Sequence, residues 1–522
     1  MWYVLCGGRL SKKLEVHFFP IIYYFFLKIN IILSAGMASS ALEAIHSKEK
    51  DWFRERVWID PFKIGRLAVV EKVTNLFTSG GGGGGGTTQN KDTATSAAGG
   101  EIIEESSLDD PPTSPSLPAG EVTDKRRKWI EYMMLGSDGY SDPPNGGIKV
   151  RPLQGLHAID YLATSTVAKA PSYVFAYVIQ ALFNVGYDDV TLDACPYDWR
   201  LPPQKLHDRD HYFFKMQKKI EGMVDHLKTP VVVLGHSMGN RVIQYFFQWL
   251  ENSGQQKWID QHIHAFLAMG PVFLGSSKAL RTVLCGDAMG LEMFLTAEES
   301  LFMARNSASL PWLFPVMERL YPDDVIRVNT EKDNQTALPY TPVQFTSYLQ
   351  THVPRSLRYY EEFYLKNPLY LQPKNADDIL PILQPPPVKR VWVLYGVNRQ
   401  TEVGYYMKGK KAEVDVTADR YSGKKLAGIN PRGLIIQQGI AYENSDIFQP
   451  SVLLNKSGDG TVPFCSLNYA ERAWSDCVHV YNVEVNDAEH REMLCHEGVL
   501  LELMKLVCWR VAEKGGGGDR SS

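Results

Sequence analysis

The sequence predicts an α/β fold, a mostly parallel central sheet with a cap region inserted between two of its strands. Residues 231–234 (VVVL) are a short β-branched run with no polar face, which suits a parallel strand covered on both sides. Residues 241–250 (RVIQYFFQWL) follow it with the spacing of an amphipathic helix. Further strand-like runs at 264–269, 391–395 and 478–485 alternate with helical patterns, as strands joined through helices do.

Taken in order, the chain begins with a basic stretch (Arg9, Lys12, Lys13) and an apolar run over 16–27. That layout fits a signal sequence, a signal anchor or a start codon placed too early, and short apolar runs are as often buried strands. Residues 29–36 read as a buried strand ending in a glycine turn, opening a core segment with a lid-like loop over 29–76. From 77 to 120 the composition collapses to seven consecutive glycines (Gly80 to Gly86) and a Ser/Thr/Pro-rich stretch, which cannot bury enough apolar area to offset its ordering entropy. The core resumes over 121–275, with helices expected at 173–183 and 211–226. Residues 276–387, rich in Phe, Leu, Trp and Pro, are too long for a connection and read as a cap or lid. The core closes over 388–511, and 512–522 is a glycine-rich tail.

Composition excludes several functions. With 44% hydrophobic and 22% charged residues the chain can bury a real core. A net charge of −4 and no basic block interleaved with aromatics argue against nucleic acid. Seven cysteines with no CxxC pair fit neither a disulfide scaffold nor a zinc ribbon.

The chemistry is carried by Gly235-His236-Ser237-Met238-Gly239, set where a strand must turn sharply into a helix. In such a nucleophile elbow the serine occupies a strained turn, and the flanking glycines remove side chains that would clash. The pentapeptide alone is common; its strand–turn–helix setting raises it above an ordinary glycine turn. A serine needs a base, itself oriented by a carboxylate, and in this fold the chain order is Ser, Asp or Glu, then His. Asp459 lies in a loop punctuated by Gly458, Gly460 and Pro463. His490 follows the 478–485 strand, whereas His479 falls within that strand and His496 on the next helix. His236, adjacent to the serine, points away from it and reads as structural. No metal or cofactor is required by this set, and no His/Asp cluster suggests calcium.

The motifs together make the chain resemble the lecithin:cholesterol acyltransferase family of α/β-hydrolases. They are Gly36-Met37-Ala38-Ser39-Ser40-Ala41-Leu42-Glu43, Arg56-Val57-Trp58-Ile59, Gly155-Leu156-His157-Ala158-Ile159-Asp160, Pro196-Tyr197-Asp198-Trp199-Arg200-Leu201, the elbow, Gly270-Pro271-Val272-Phe273-Leu274-Gly275, and the segments around Asp459 and His490. The resemblance spans most of 33–510. It implies Ser237 as nucleophile, Asp459 as orienting acid, His490 as base, and an oxyanion hole from the backbone N–H groups of Met37 and Met238. Asp198 and Arg200 read as a structural ion pair. Residues 257–266 and the YFFQWLE helix look most like the sterol- and diacylglycerol-acylating plant branches. Two departures stand out: Ala35 replaces the family's usual proline, and residues 43–76 carry no cysteine to staple a lid.

The activity the resemblance implies is transfer of a fatty acyl group from a phospholipid to a sterol or diacylglycerol. A phospholipase A using water is the alternative, and a catalytically silent lipid-binding relative is a second. A bilayer substrate implies contact with a membrane surface, and an endoplasmic reticulum membrane is one setting such an enzyme suits.

Overall fold

A computed structural model of the chain describes residues 29–59, 124–143, 147–289, 295, 297–315, 326–329, 338–339, 349–350, 353–371, 382–399, 401, 405–408, 435–437, 440–442 and 458–508. The apolar run within 1–28, the glycine-rich insertion at 77–120, the 512–522 tail and parts of the 276–387 region lie outside the described residues.

Nine strands build the two sheets that frame the site. They are β1 (Ile31–Ser34), β2 (Leu42–Ser47), β3 (Arg56–Trp58), β4 (Ile148–Pro152), β5 (Leu192–Ala194), β6 (Val231–His236), β7 (Ile263–Met269), β8 (Arg390–Val397) and β9 (His479–Asn486). The helices that matter are α1 (Asp124–Met133), α2 (Ala176–Asn184), α3 (Tyr212–Leu227), α4 (Met238–Asn252), α5 (Ser277–Cys285) and α6 (Glu497–Cys508).

The main sheet has the order β9-β8-β7-β6-β1-β5, and every neighbouring pair is parallel. Parallel strands need helical crossovers, so both faces are covered. Accordingly every residue of β6 and β7 is buried, and in β8 only Arg390 is not. β9, at the sheet edge, alternates polar and apolar residues and buries only Val485 fully. The six strands run the same way, so the loops leaving β1, β6, β7, β8 and β9 emerge together at their carboxyl ends. That edge is where ligands bind in open α/β sheets.

The expected strands are present: those at 231–234, 264–269 and 391–395 extend by one or two residues at an end, 478–485 shifts by one, and 29–36 shortens to Ile31–Ser34; the 211–226 helix appears as α3. The helix expected from 173 begins at Ala176, because Tyr173 is extended (φ −59°, ψ 145°) and forms an isolated bridge with Tyr161. His496, expected on the last helix, lies one residue before α6.

Residues expected as a lid-like loop instead contribute to a small antiparallel sheet, β3-β2-β4. Its packing explains several sequence motifs at once. The Arg56 guanidinium donates to the carbonyls of Tyr161 (2.8 Å), Leu162 (2.9 Å) and His157 (3.0 Å), tying the RVWI and GLHAID segments together. The Trp58 indole N–H donates to the Ala38 carbonyl at 2.7 Å, bracing the loop after β1. Tyr197 supports the same loop by donating its hydroxyl to the Ala35 carbonyl at 2.8 Å.

Asp198 and Arg200 do form a buried ion pair, bidentate at 2.7 and 2.8 Å, and Arg209 adds a third bond at 2.7 Å. Burial alone would raise the Asp198 carboxyl; Arg200 and Arg209 outweigh it and hold the group well below the usual carboxylate range. Removing one partner strands the other charges in a dry site. Asp198→Ala is therefore expected to destabilise the protein by about 3–5 kcal/mol in denaturant titration at pH 7. A carboxyl depressed on folding stabilises above its unfolded pKa of about 3.9 and loses that contribution as pH falls further. The gap between wild type and Asp198→Asn should accordingly narrow below pH 4; a gap independent of pH contradicts the assignment.

Candidate active site

Ser237 lies between the last residue of β6 and the first of α4, with φ 55° and ψ −127°. A serine there carries strain on the order of 1–3 kcal/mol, which only surrounding structure can hold in place. The two flanking glycines supply the room. A Cβ on Gly235 would fall 2.5 Å from Asn240 Oδ1 and 2.7 Å from Ile243 Cδ1, and one on Gly239 would fall 2.4 Å from the Ser34 carbonyl oxygen. Any side chain at 239 would thus push α4 away from the end of β1. The Met269 carbonyl, at the end of β7, accepts from both the Ser237 N–H (3.1 Å) and the Asn240 amide (2.8 Å). The turn is fastened to strands on either side.

His490 and Asp459 come from loops far along the chain and meet Ser237 at this edge. His490 Nε2 is 2.9 Å from Ser237 Oγ, and its Nδ1 is 2.6 Å from Asp459 Oδ2. Asp459 is fully buried, and its other oxygen accepts the N–H groups of Thr461 (3.1 Å) and Val462 (2.7 Å). One carboxylate oxygen is thereby occupied by its own loop, leaving Oδ2 for the imidazole. The main chains are joined as well, since the His490 N–H donates to the Asp459 carbonyl at 2.9 Å.

Residues without a motif of their own hold the acid loop. The Gly460 N–H donates to Thr401 Oγ1 at 2.8 Å, the Arg399 N–H to the Gly458 carbonyl at 3.0 Å, and the Ser276 hydroxyl to the Thr461 carbonyl at 2.5 Å. Sequence reasoning had no signal for Thr401 or Ser276, because each acts across a long separation.

The two histidines at the site are held in opposite senses. Burial would lower His490, but the Asp459 carboxylate, by charge and hydrogen bond, overrides it and raises the imidazole above its ordinary value. Among the described residues His236 has no carboxylate partner. Burial, reinforced by the nearby His490, pushes it down to about 3. Its Nε2 lies 2.9 Å from the main-chain oxygen of His490.

Met238 adjoins the serine in sequence, and the loop that carries Met37 approaches it. Met238 is the first residue of α4, a position whose N–H has no intrahelical acceptor. Met37 follows Gly36, where an added Cβ would lie 2.9 Å from Ser237 Cβ and 3.4 Å from its Oγ, so the loop after β1 passes directly over the Ser237 side chain. Ser309, from the 276–387 region, reaches the same loop, 3.9 Å from Met37 Sδ. Cavities elsewhere among the described residues include one of about 280 Å³ beside Tyr197, Arg209 and Lys219 and one of about 840 Å³ beside Gln256, Pro386 and Lys389.

A serine on a strand-to-helix elbow at the carboxyl edge of a parallel sheet, beside an imidazole and a carboxylate, is the arrangement of the α/β-hydrolase class. The family model "Lecithin:cholesterol acyltransferase" matches residues 120–504, and the chain belongs to that family. Similar curated proteins include a phospholipid–sterol O-acyltransferase of Arabidopsis thaliana, 29% identical over 53% of this chain and 52% of that protein. A phospholipid:diacylglycerol acyltransferase of Schizosaccharomyces pombe is 26% identical over 65% and 56%. A phosphatidylcholine-sterol acyltransferase of Gallus gallus is 30% identical over 51% and 57%. The chain spans about half the length of the curated relatives it matches. A solved Tle4–Tli4 complex overlaps at a TM-score of 0.33 with 16% identity, covering 61% of this chain and 69% of that one, too remote a likeness to carry an argument.

The histidine environments predict separable titrations. In 15N-histidine NMR, His490 should titrate above the free-imidazole value of about 6.5, and Asp459→Asn should bring it down. His236 should stay neutral down to the pH at which the protein unfolds. Titration of His490 below 6.5 in the wild type contradicts the Asp459 contact.

Proposed function

We propose that the protein is an O-acyltransferase that moves a fatty acyl group from a phospholipid to a lipid alcohol, sterol or diacylglycerol, through an acyl-Ser237 intermediate. The hydrogen-bonded run from Ser237 through His490 to Asp459 carries this reading, and family membership supplies the substrate class. Compact as it is, that run leaves a single oxygen to be both acylated and deacylated.

In the first half-reaction His490 Nε2 takes the Ser237 proton as Oγ bonds the ester carbonyl carbon. The tetrahedral oxyanion is met by the N–H groups of Met238 and Met37. As the carbon–oxygen bond to the glycerol breaks, the imidazolium returns its proton to that oxygen and a lysophospholipid leaves. In the second half-reaction the acceptor hydroxyl gives its proton to His490, attacks the acyl-serine, and the proton passes back to Ser237 as the new ester departs. Asp459 keeps Nδ1 protonated and stabilises the imidazolium formed in each half.

Transfer beats hydrolysis only where the acyl-enzyme is shielded from water and an alcohol is placed beside it. We propose the 276–387 region as that cover. Its described part lies against the site: Arg241 of α4 donates to the Trp312 carbonyl at 2.5 Å, and Ser309 touches both the Trp199 carbonyl (2.6 Å) and Met37. A membrane surface is the expected workplace, since the donor is a bilayer lipid; among the described residues no helix is long and apolar enough to cross a membrane.

One labelled phospholipid, offered with sterol, with diacylglycerol and with neither, tests the reading. Steryl ester or triacylglycerol is the expected product, whereas free fatty acid alone at every acceptor level identifies a phospholipase A. Ser237→Ala should abolish every product, and Asp459→Asn should lower kcat by on the order of 10³–10⁴, the cost of losing the imidazole's correct tautomer.

A further inference from the structure

We infer that His236 is a positioning residue: through a hydrogen bond to the main chain of His490 it fixes the separation between the Ser237 hydroxyl and the His490 imidazole. The inference rests on the proposed roles of Ser237 and His490 as nucleophile and base.

The direction of the bond follows from the partners. A carbonyl oxygen can only accept, so the 2.9 Å contact between His236 Nε2 and the His490 oxygen requires a proton on Nε2. The opposite nitrogen, Nδ1, is buried without a hydrogen-bond partner among the described residues, so a second proton there would be unsatisfied. The ring sits edge-on to Phe175, centroids 6.2 Å apart at 88°. His236 is thus a neutral, single donor.

Its place in the chain gives the bond its consequence. His236 ends β6 and is covalently joined to Ser237. His490 has both main-chain polar groups tied, its N–H to the Asp459 carbonyl and its oxygen to His236. The contacts close a small ring: Ser237 to His236 by the peptide bond, His236 to the His490 backbone by the hydrogen bond, and the His490 imidazole back to Ser237 Oγ at 2.9 Å. With the backbone pinned at two points, the base has only its own side-chain torsions left to move. The two imidazoles lie 5.0 Å apart, centroid to centroid. A cationic donor at 236 would oppose the imidazolium that His490 becomes in each half-reaction; a neutral one does not.

The test is the rate at which a fluorophosphonate ester phosphonylates Ser237, a step that needs proton removal by His490 but no lipid acceptor. In folded His236→Leu, with an unchanged melting temperature, labelling is expected to fall about 10²-fold, the scale of an ångström of misplacement. On phospholipid, kcat should fall by a similar factor with KM unchanged. His236→Gln, whose amide N–H reaches the same carbonyl, should recover labelling to within about tenfold of wild type. Should His236→Leu fail to fold, His236→Asn serves in its place, a polar amide one methylene too short to bridge, expected to be slow where His236→Gln is fast. Wild-type labelling in His236→Leu, or equal loss in the Gln and Asn variants, overturns the inference. Failure of the underlying reading looks different: His490→Ala would then label as fast as wild type.

Discussion

The site depends on one backbone event, the left-handed turn at Ser237. A non-glycine residue at φ 55° is held there only because β6, α4 and the end of β1 leave no alternative. The Gly239 contact with the Ser34 carbonyl brings the first turn of α4 against the first strand, and the Met269 carbonyl clamps the turn from the opposite side. From that one bend follow the placement of the hydroxyl, the direction of the N–H groups that open α4, and the closeness of the Met37 loop. Strain here is a positional device, offset by the burial of β6 and β7 on both faces.

Around the bend, the site is assembled by parallel topology. Because all six strands of the main sheet run one way, loops separated by hundreds of residues open at one edge. The serine follows β6, the imidazole follows β9, and the acid loop is stitched to the β8 loop through Arg399 and Thr401. No single loop encodes the constellation. Asp459 illustrates the economy: two of its loop's own N–H groups take one oxygen, so the other is aimed at the imidazole before any substrate arrives.

What the sequence disclosed and what it withheld divide along the range of the interaction. The elbow was legible because strand, turn and helix are local and the glycines have local steric reasons. Asp459 and His490 were legible through order and punctuation, and the structure brings both within hydrogen-bonding reach of the relay from Ser237. His236 reads as structural from its place beside Ser237, yet its bond to the carbonyl of a residue 254 positions later leaves no trace in local pattern. The β3-β2-β4 sheet was missed for the same reason: its strands are short, antiparallel and split by the long insertion, and a loop-like stretch becomes a strand only when a distant partner arrives. Motifs such as Arg56 to Ile59 and Gly155 to Asp160 were recognisable as words before their contact was visible; their meaning is the Arg56 guanidinium bridging them.

The central claim is that Ser237 itself carries the fatty chain between donor and acceptor. Acid quenching within the first turnovers, after mixing enzyme with a labelled phospholipid and no acceptor, followed by mass spectrometry of the digested protein, tests it most directly. An acyl mass increment is expected on the peptide containing Ser237, at up to one per chain, appearing with the lysophospholipid and discharged when a lipid alcohol is added. Steady product formation with an unmodified Ser237 peptide, or an acyl group on another residue, contradicts it.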